Sequence, residues 1–337
     1  ETLPLSVSPI KISSWMGGDR DGNPNVTADV TKEILRLARW MAADLYLRDV
    51  EELLSQLSMS NCSSELAALC PEGVDEPYRH ILRSLRERLA ATRTWAETSE
   101  QPEPGLIHSD ADLIAPLQLC YDSLLSCGMN IIADGLLKET LIRANTFGVT
   151  LVELDIRQSS DKHIELLDAI TEYLELGSYK HWSEKARTDF LLQELKTRRP
   201  LVPDSWRPEG DAGEILKTFR LIAEDNGQGI ASYIISMARR PSDVLGVVLL
   251  LRKSGVTRVL PVVPLFETLD DLENAAWTLE CLLRTNWYTE YIDGSQQIMI
   301  GYSDSAKDAG QMAASWAQYR AQEELVVVSD KYNIDLT

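Results

Sequence analysis

Apolar residues recur at three- and four-residue steps through most of the first 147 residues, which is the spacing of one buried helix face. This pattern predicts a long helix through residues 30–57, a second helix after Pro77, and further helices within 113–145. The glycine- and aspartate-rich segment 13–25 predicts a loop, and the proline-containing segment 98–110 predicts an exposed linker. The first 147 residues are therefore expected to be mainly helical, with one unusual loop near their start.

The pattern changes at about residue 148, where short apolar runs begin to alternate with helical periodicity. Strands are predicted at 149–156, 230–235, 259–266 and 297–302. Helices are predicted to start near Ser160, Pro241, Asp270 and Ser305, the last as one long helix into the 320s. The runs are apolar on both faces, which is typical of parallel strands joined by crossover helices and buried on both sides.

These elements predict a helix-rich α/β fold, a partial (β/α) TIM-type barrel with extra helices. A barrel is favoured over an open doubly wound sheet, although periodicity alone leaves both open. We expect residues 1–147, with loop 14–25, and the alternating units of 148–337 to form parts of one domain.

Composition narrows the function classes. The chain has 337 residues, 44% of them hydrophobic, and a formal net charge of −19. Such an acidic chain is not expected to bind nucleic acid or an anionic membrane over a broad surface. The aliphatic runs are too short to cross a bilayer, no signal peptide is expected, and the location is expected to be cytoplasmic.

Cysteine and histidine add little. The five cysteines show no C-x-x-C pair, so we expect reduced thiols rather than a disulfide framework or a zinc site. The four histidines have no ligand spacing, and each is predicted to be a surface or cap residue. They are His80, His108, His163 and His181.

Charged residues follow the predicted strands at their carboxyl ends, where the functional groups of a parallel sheet lie. Arg157, Glu267 and Asp304 lie at carboxyl ends of strands, and Lys307 lies one helical turn after Asp304. Right-handed crossovers place these ends on one rim. Two carboxylates there suit a hard divalent cation, and the two cations suit an anionic substrate.

Simpler interpretations stay open. Glu267 could serve only to offset the partial positive charge at the amino end of the next helix. Asp304 or Ser305 could serve only as an N-cap, since residues 305–308 resemble a capping box. The loop 17–24 (GGDRDGNP) is harder to explain in this way, because its glycines let the backbone approach a ligand closely. By itself, however, the loop specifies no reaction.

Five segments together resemble the phosphoenolpyruvate carboxylase family, in its bacterial form. They occur in the family's order and at similar spacing, and the resemblance covers essentially the whole chain. The segments are 14–24 (SWMGGDRDGNP), 154–158 (LDIRQ), 235–238 (ISMA) with 241–243 (PSD), 264–272 (PLFETLDDL) and 299–310 (MIGYSDSAKDAG).

The resemblance implies an anaplerotic lyase of the tricarboxylic acid cycle, a TIM barrel that joins bicarbonate to phosphoenolpyruvate to give oxaloacetate and phosphate. It implies a path through carboxyphosphate and a metal-stabilised enolate, with Mg²⁺ or Mn²⁺ as cofactor. It also implies a cytoplasmic, allosteric homotetramer. No nucleic acid or membrane partner is implied.

The resemblance also implies roles for residues. Glu267 and Asp304 correspond to metal ligands, and Lys307, Arg157 and Arg20 to catalytic residues. A substrate loop at the mouth of the active site corresponds to Gly17, Gly18, Asp19, Asp21 and Asn23.

Two family motifs are missing from these 337 residues: an upstream T-A-H-P-T-like histidine motif and a downstream F-H-G-R-G-G-like loop. We therefore expect an internal piece carrying about half of the barrel strands, which needs the remainder of its own chain and is inactive alone. The alternatives are a non-catalytic truncated paralogue that acts as an assembly partner, and another barrel enzyme that uses phosphoenolpyruvate.

Overall fold

The structure is a computed structural model that describes residues 3–98, 105–224 and 226–337. The chain forms two compact units. The first comprises Glu1–Ser14 and Glu33–Glu153, and the second comprises Trp15–Lys32 and Leu154–Thr337. The assignment of residues 1–147 and 148–337 to one catalytic domain stays a prediction.

The first unit is helical. Its elements are β1 (Ser13–Ser14), α1 (Ala28–Gln56, whose first turn belongs to the second unit), α2 (Ser64–Ala67), α3 (Pro77–Thr98), α4 (Asp110–Ser126), α5 (Asn130–Ala133) and α6 (Leu136–Phe147). The apolar face of α3, with Leu82, Leu85 and Leu89, packs into one core with α1, α4 and α6. Pro77 opens α3, where its missing N–H costs nothing. Of the predicted linker 98–110, residues 99–104 lie outside the described residues.

The second unit alternates strands and helices. Its elements are β2 (Glu153–Ser159), α7 (Ser160–Tyr173), a 3-10 turn (Tyr179–His181), α8 (Glu184–Leu195), α9 (Gly210–Glu224), β3 (Ile230–Ser236), α10 (Pro241–Ser254), β4 (Val262–Phe266), α11 (Leu269–Leu283), α12 (Asn286–Ile292), β5 (Ser295–Gln296), β6 (Met299–Ile300), α13 (Tyr302–Ala309), α14 (Gln311–Tyr332) and β7 (Asp335–Leu336).

The sheet of this unit is parallel and has the strand order β2-β3-β4-β6. Six of the seven residues of β3 and all five of β4 are buried, as expected for strands with helices on both sides. Ile235 lies beside Pro264, and Phe266 beside Ile300, so successive strands end near one another. The predicted helix-rich α/β fold, a partial barrel, is confirmed.

Several boundaries differ from the prediction. β2 begins at Glu153 rather than 149, because Leu151 has a left-handed φ of 56° that interrupts an extended chain. The strand predicted at 297–302 is only Met299–Ile300. The single long helix predicted from Ser305 is wrong: α13 and α14 are separate helices, divided at Gly310, whose φ is 81°.

The histidine prediction fails at one position. His163 lies in the core rather than at the surface, because it belongs to the apolar face of α7 with Leu166 and Ile170. Its Nε2 is 2.8 Å from the hydroxyl of Tyr233. All five cysteines are free thiols, as predicted. Among the described helices, none has the length and apolar character to cross a bilayer.

Candidate active site

The loop 15–25 is attached to β2 by backbone hydrogen bonds. Arg157 N donates to Gly18 O, and Arg20 N donates to Arg157 O, each at 2.9 Å. Asp19 thereby forms a parallel bridge with Arg157. A Cβ atom at position 18 would lie 2.0 Å from Asp155 O, so only glycine permits this approach. The loop predicted from sequence is therefore an additional edge of the sheet at this point.

Arg20 stabilises the loop from within. Its side chain is buried, its Nη1 donates to Gly18 O at 2.9 Å, and its Nη2 donates to the hydroxyl of Thr31. Thr31 in turn donates to Gly17 O at 2.7 Å. Burial lowers the pKa of Arg20 from its usual value. The structure therefore does not bring this guanidinium to the rim, and its catalytic assignment stays a prediction.

Arg157 is the cation that the structure does place beside the loop. Its Nε lies 3.2 Å from Asp19 Oδ1, and its Nη2 donates to Asp21 Oδ2 at 2.9 Å. Its guanidinium carbon lies 5.0 Å from the centre of the Trp15 ring, a cation–π contact. Only 16% of the side chain is exposed, so the group is held in one orientation. Asn23, in contrast, is exposed, and its side-chain Oδ1 accepts from the N–H of Asn25 at 3.1 Å.

Glu267 and Asp304 meet at the end of the sheet, as predicted. Each carboxyl group shifts the pKa of the other through a side-chain contact, although the two residues are 37 positions apart in the sequence. Glu267 is buried and 5% exposed, whereas the side chain of Asp304 is 49% exposed. Glu267 also accepts from the backbone N–H of Met237 at 3.2 Å. The two acids therefore form one group with a buried and a solvated member.

The two carboxyl groups have opposite electrostatics. Burial raises the pKa of Glu267, and the neighbouring Asp304 adds to that rise, against the Met237 N–H and Arg157. The hydrogen bond from Lys307 lowers the pKa of Asp304. Glu267 is consequently the less readily ionised member of the pair. Lys307 itself is 76% exposed, with its Nζ 3.0 Å from Asp304 Oδ1.

The N-cap interpretations do not hold, whereas Glu267 does directly precede the amino end of α11, as its simpler interpretation requires. Thr268 is the N-cap of α11, in a capping box with Asp271. The N-cap of α13 is Gly301, and Ser305 is buried inside that helix with its hydroxyl donating to Gly301 O at 2.7 Å. The resemblance of residues 305–308 to a capping box is therefore incidental.

Two contributors escaped the sequence reasoning. Met237 presents its N–H to Glu267 from a left-handed φ of 55°, a conformation that a non-glycine residue does not signal in sequence. Trp15 lies under Arg157 and belongs to the SWMGGDRDGNP segment, but aromatic stacking on a cation has no sequence spacing of its own.

The donor set fits a hard divalent cation. Two neighbouring carboxyl groups form a donor set in which a cation with oxygen preference would offset both negative charges. Within residues 3–98, 105–224 and 226–337, no cluster of three or more His, Cys, Asp or Glu side chains has metal-binding geometry. Glu267 and Asp304 with completing waters match Mg²⁺ or Mn²⁺, which need few protein ligands, better than Zn²⁺.

The chain forms a parallel α/β half barrel, with acids and a held arginine at the carboxyl rim. These features place it in the class of α/β-barrel proteins whose site lies at the strand ends. Within that class, the family model described as phosphoenolpyruvate carboxylase matches residues 1–337. The chain belongs to the phosphoenolpyruvate carboxylase family, as the five segments indicated.

Curated relatives agree. The chain is 53% identical over 341 residues to the phosphoenolpyruvate carboxylase of Hahella chejuensis, covering 100% of this chain and 39% of that protein. It is 55% identical over 340 residues to that of Pseudomonas aeruginosa, with the same coverages. For Marinobacter nauticus the identity is 53% over 339 residues, covering 99% and 38%. The chain thus spans less than two fifths of the length of these relatives.

Proposed function

We propose that this chain carries the metal-binding and anion-binding rim of an enzyme that carboxylates phosphoenolpyruvate with bicarbonate to give oxaloacetate and phosphate. The observation that carries the proposal is the convergence of Glu267 and Asp304 at the end of the sheet, where the charge of Arg157 acts to lower the pKa of both. Both reactants are anions, and a rim that pairs a cation site with a held guanidinium suits them. Membership of the family supplies the reaction class.

Arg157 binds and orients the anionic reactants in this proposal. Asp19 and Asp21 engage its Nε and Nη2, which leaves Nη1 as the nitrogen that meets a substrate oxygen. The two aspartates and the Trp15 ring hold the guanidinium before substrate arrives, so little side-chain entropy is lost on binding. Asp19 and Asp21 are therefore assigned to positioning rather than to contact with the reacting atoms.

Glu267 and Asp304 would hold Mg²⁺ or Mn²⁺, and such an ion would supply charge stabilisation to substrate oxygens as negative charge develops there. Both groups would bind the ion as carboxylates. The ammonium of Lys307 is exposed beside Asp304, from where it would bind an anionic reactant at the same rim.

The decisive test is Asp304→Asn in the full-length protein, with Asp308→Asn in the same helix as a matched control. Oxaloacetate formation is followed through malate dehydrogenase and NADH, and Mn²⁺ binding is measured by electron paramagnetic resonance without substrate. Because one ligand charge is lost at little change in volume, half-saturating Mg²⁺ and the Mn²⁺ dissociation constant should both rise about tenfold or more. Asp308→Asn should leave both unchanged.

Three results would overturn the proposal. Unchanged metal binding in Asp304→Asn would remove Asp304 from the cation site. No bicarbonate-dependent oxaloacetate from the wild-type full-length protein would favour a non-catalytic paralogue, and turnover of phosphoenolpyruvate without bicarbonate would favour another barrel enzyme.

We further propose that the 337 residues alone are inactive and fold poorly, because the sheet β2-β3-β4-β6 ends in an open edge at β6 and the two missing motifs are absent from the sequence. Soluble, bicarbonate-dependent oxaloacetate formation by these residues alone would refute this. The homotetramer, allosteric control and cytoplasmic location stay predictions from the resemblance.

A further inference from the structure

A cavity lies in the second unit, away from the acids of the rim. It has a volume of about 410 Å³ and lies among the last turns of α7, α9 and α10 and the segment 201–207. Crossover helices run antiparallel to the strands, so their carboxyl ends lie at the opposite end of the sheet from the catalytic rim. The volume is in the range of pockets that hold small organic molecules.

Two arginines converge at this cavity. Arg207 Nη1 and Arg220 Nη1 both donate to the same oxygen, Trp206 O, at 2.9 Å and 3.2 Å. One shared acceptor keeps the two guanidinium groups adjacent. Like charges at this separation repel, so the arrangement is costly unless an anion offsets it.

The charges of these arginines are not neutralised by ion pairs in the part of the chain that the structure describes. No carboxylate among those residues lies within 4.0 Å of the charged nitrogens of Arg207 or Arg220, and the same holds for Lys253, which also lines the cavity. Glu224, a further lining residue, is already paired with Lys32 at 2.8 Å. Burial lowers the pKa of Arg220, and the proximity of Arg207 adds to this effect.

Lys253 differs from the arginines. Its Nζ donates to Thr197 O, Thr197 Oγ1 and Arg199 O at 2.8–3.0 Å, so its hydrogen bonds are satisfied within the protein. It adds positive charge to the cavity without offering a free donor. The arginines have each used only Nη1 in the bonds described, to Asp204 O and Trp206 O for Arg207 and to Trp206 O for Arg220.

The rest of the wall combines apolar side chains with Ser254 and the carboxylates Asp204 and Glu224, of which Asp204 acts to raise the pKa of Arg220. Leu201, Leu216 and Leu250 line the cavity, and all three are buried. A ligand that matches both parts has an anionic head with several acceptor oxygens and a compact organic body. Phosphate is the head group that two adjacent guanidinium groups bind best, since each can donate two parallel hydrogen bonds.

We propose that this cavity is a binding site for a small organic phosphate, with the phosphate held by Arg207 and Arg220 and the organic body against the leucine wall. The site is separate from the proposed catalytic rim and does not depend on it. It would give the protein a second anion site at the opposite end of the sheet.

The test uses the full-length protein labelled with 5-fluorotryptophan, titrated with glycerol 3-phosphate and, separately, inorganic phosphate. The fluorine resonance of Trp206, assigned by Trp206→Phe, reports binding at this cavity. We expect a saturable shift, with glycerol 3-phosphate binding more tightly than inorganic phosphate because its organic body contacts the leucines. The shift should persist in Arg157→Gln, which separates this site from the rim.

Variants decide whether the arginines bind the phosphate. Arg220→Gln and Arg207→Gln should each weaken binding about tenfold or more, the effect of losing a hydrogen bond to a charged group. Lys217→Gln removes the same charge from the same helix as Arg220, outside the cavity, and should leave binding unchanged. If Arg220→Gln fails to fold, the more exposed Arg207 supplies the answer.

Three outcomes would overturn the proposal. One is the absence of a Trp206 shift at 10 mM ligand, on the order of a thousandfold above a tight-site dissociation constant, which would mean that the cations only offset the carbonyl ends of the helices. Another is equal weakening by Lys217→Gln, which would mean a general charge effect. The last is loss of the shift in Arg157→Gln, which would mean that the ligand binds at the rim.

Discussion

Replacing Gly18 with alanine should detach the loop 15–25 from β2. The added Cβ would lie 2.0 Å from Asp155 O, and ordinary van der Waals contact begins at 3.4 Å. Because Asp155 lies in β2 and is held there by pairing with β3, the loop rather than the strand must move, by about 1.4 Å. That displacement is large compared with the tolerance of the hydrogen bonds that hold the loop.

Two bonds connect the loop to β2, Arg157 N to Gly18 O and Arg20 N to Arg157 O, each at 2.9 Å. Lengthening them by about 1.4 Å carries both beyond hydrogen-bond distance. Each backbone bond contributes about 0.5–1.5 kcal/mol, so docking should lose about 1–3 kcal/mol. The bond from Arg20 to Gly18 O is not counted, since both residues move with the loop.

Amide hydrogen exchange measures this loss at the two N–H groups concerned. A loss of about 1–3 kcal/mol corresponds to exchange about 5- to 150-fold faster at Arg157 N and Arg20 N, provided that closing is faster than exchange. Amides in the centre of β3, such as that of Ile234, should exchange at the wild-type rate. The expected result is therefore local to the loop.

Gly22→Asn is the matched control in the same loop. Gly22 has a φ of 68° but no atom within 4 Å of its Cβ position, and asparagine tolerates that backbone conformation. It should leave both exchange rates close to wild type. Wild-type exchange in Gly18→Ala, or equal acceleration in Gly22→Asn, would refute the reasoning that close approach at Gly18 holds the loop.

Two further predictions concern buried polar groups. Burial raises the pKa of Asp243 to about 6 from 3.8, so the folded protein keeps a proton that the unfolded chain has released, and this group lowers the free energy of unfolding as the pH rises from about 4 to 6. Asp243→Asn should remove that decline in urea titrations while still accepting from the N–H groups of Arg239 and Arg240, and an unchanged pH dependence would contradict the assignment. Tyr233→Phe should cost about 1–3 kcal/mol, because it removes the partner of His163 Nε2 while Nδ1 already has none. Adding His163→Phe should recover most of that loss in urea unfolding, and a double variant as unstable as the single one would contradict the argument.

The elements of the fold that could be predicted are those long enough to show hydrophobic periodicity. The strand 230–235 and the helix from Pro241 were predicted closely because they are long, apolar and bounded by Pro241 and Gly255. The strand β6 could not be predicted closely, because a strand of two residues shows no hydrophobic periodicity. The break at Gly310 depends on one backbone angle within a pattern that stays helical on both sides.

The site divides in the same way. Strand ends could be listed from sequence, so Glu267 was found directly after β4, whereas Arg157 lies inside β2, two residues before the end of that strand. The burial of Arg20 could not be predicted from sequence. Its partners are a backbone atom, Gly18 O, and a residue of α1, Thr31, and no sequence motif joins them to Arg20. Charge in a glycine-rich loop does not reveal whether a side chain points to the ligand or into the protein, and here packing decides.

The meeting of Glu267 with Asp304 follows from three local facts that no single motif contains. β4 and β6 are neighbours with Phe266 opposite Ile300, so Glu267 and Gly301 are the next residues along the two strands. Gly301 has no side chain, and the Glu267 side chain fills that space, with its Cγ 3.2 Å from where a Cβ would lie. Asp304 is at the third position of α13, from which an acid normally turns back to the N-cap backbone. Here it reaches the carboxyl group of Glu267 instead, so a larger residue at 301 would separate the acids while leaving both in the sequence.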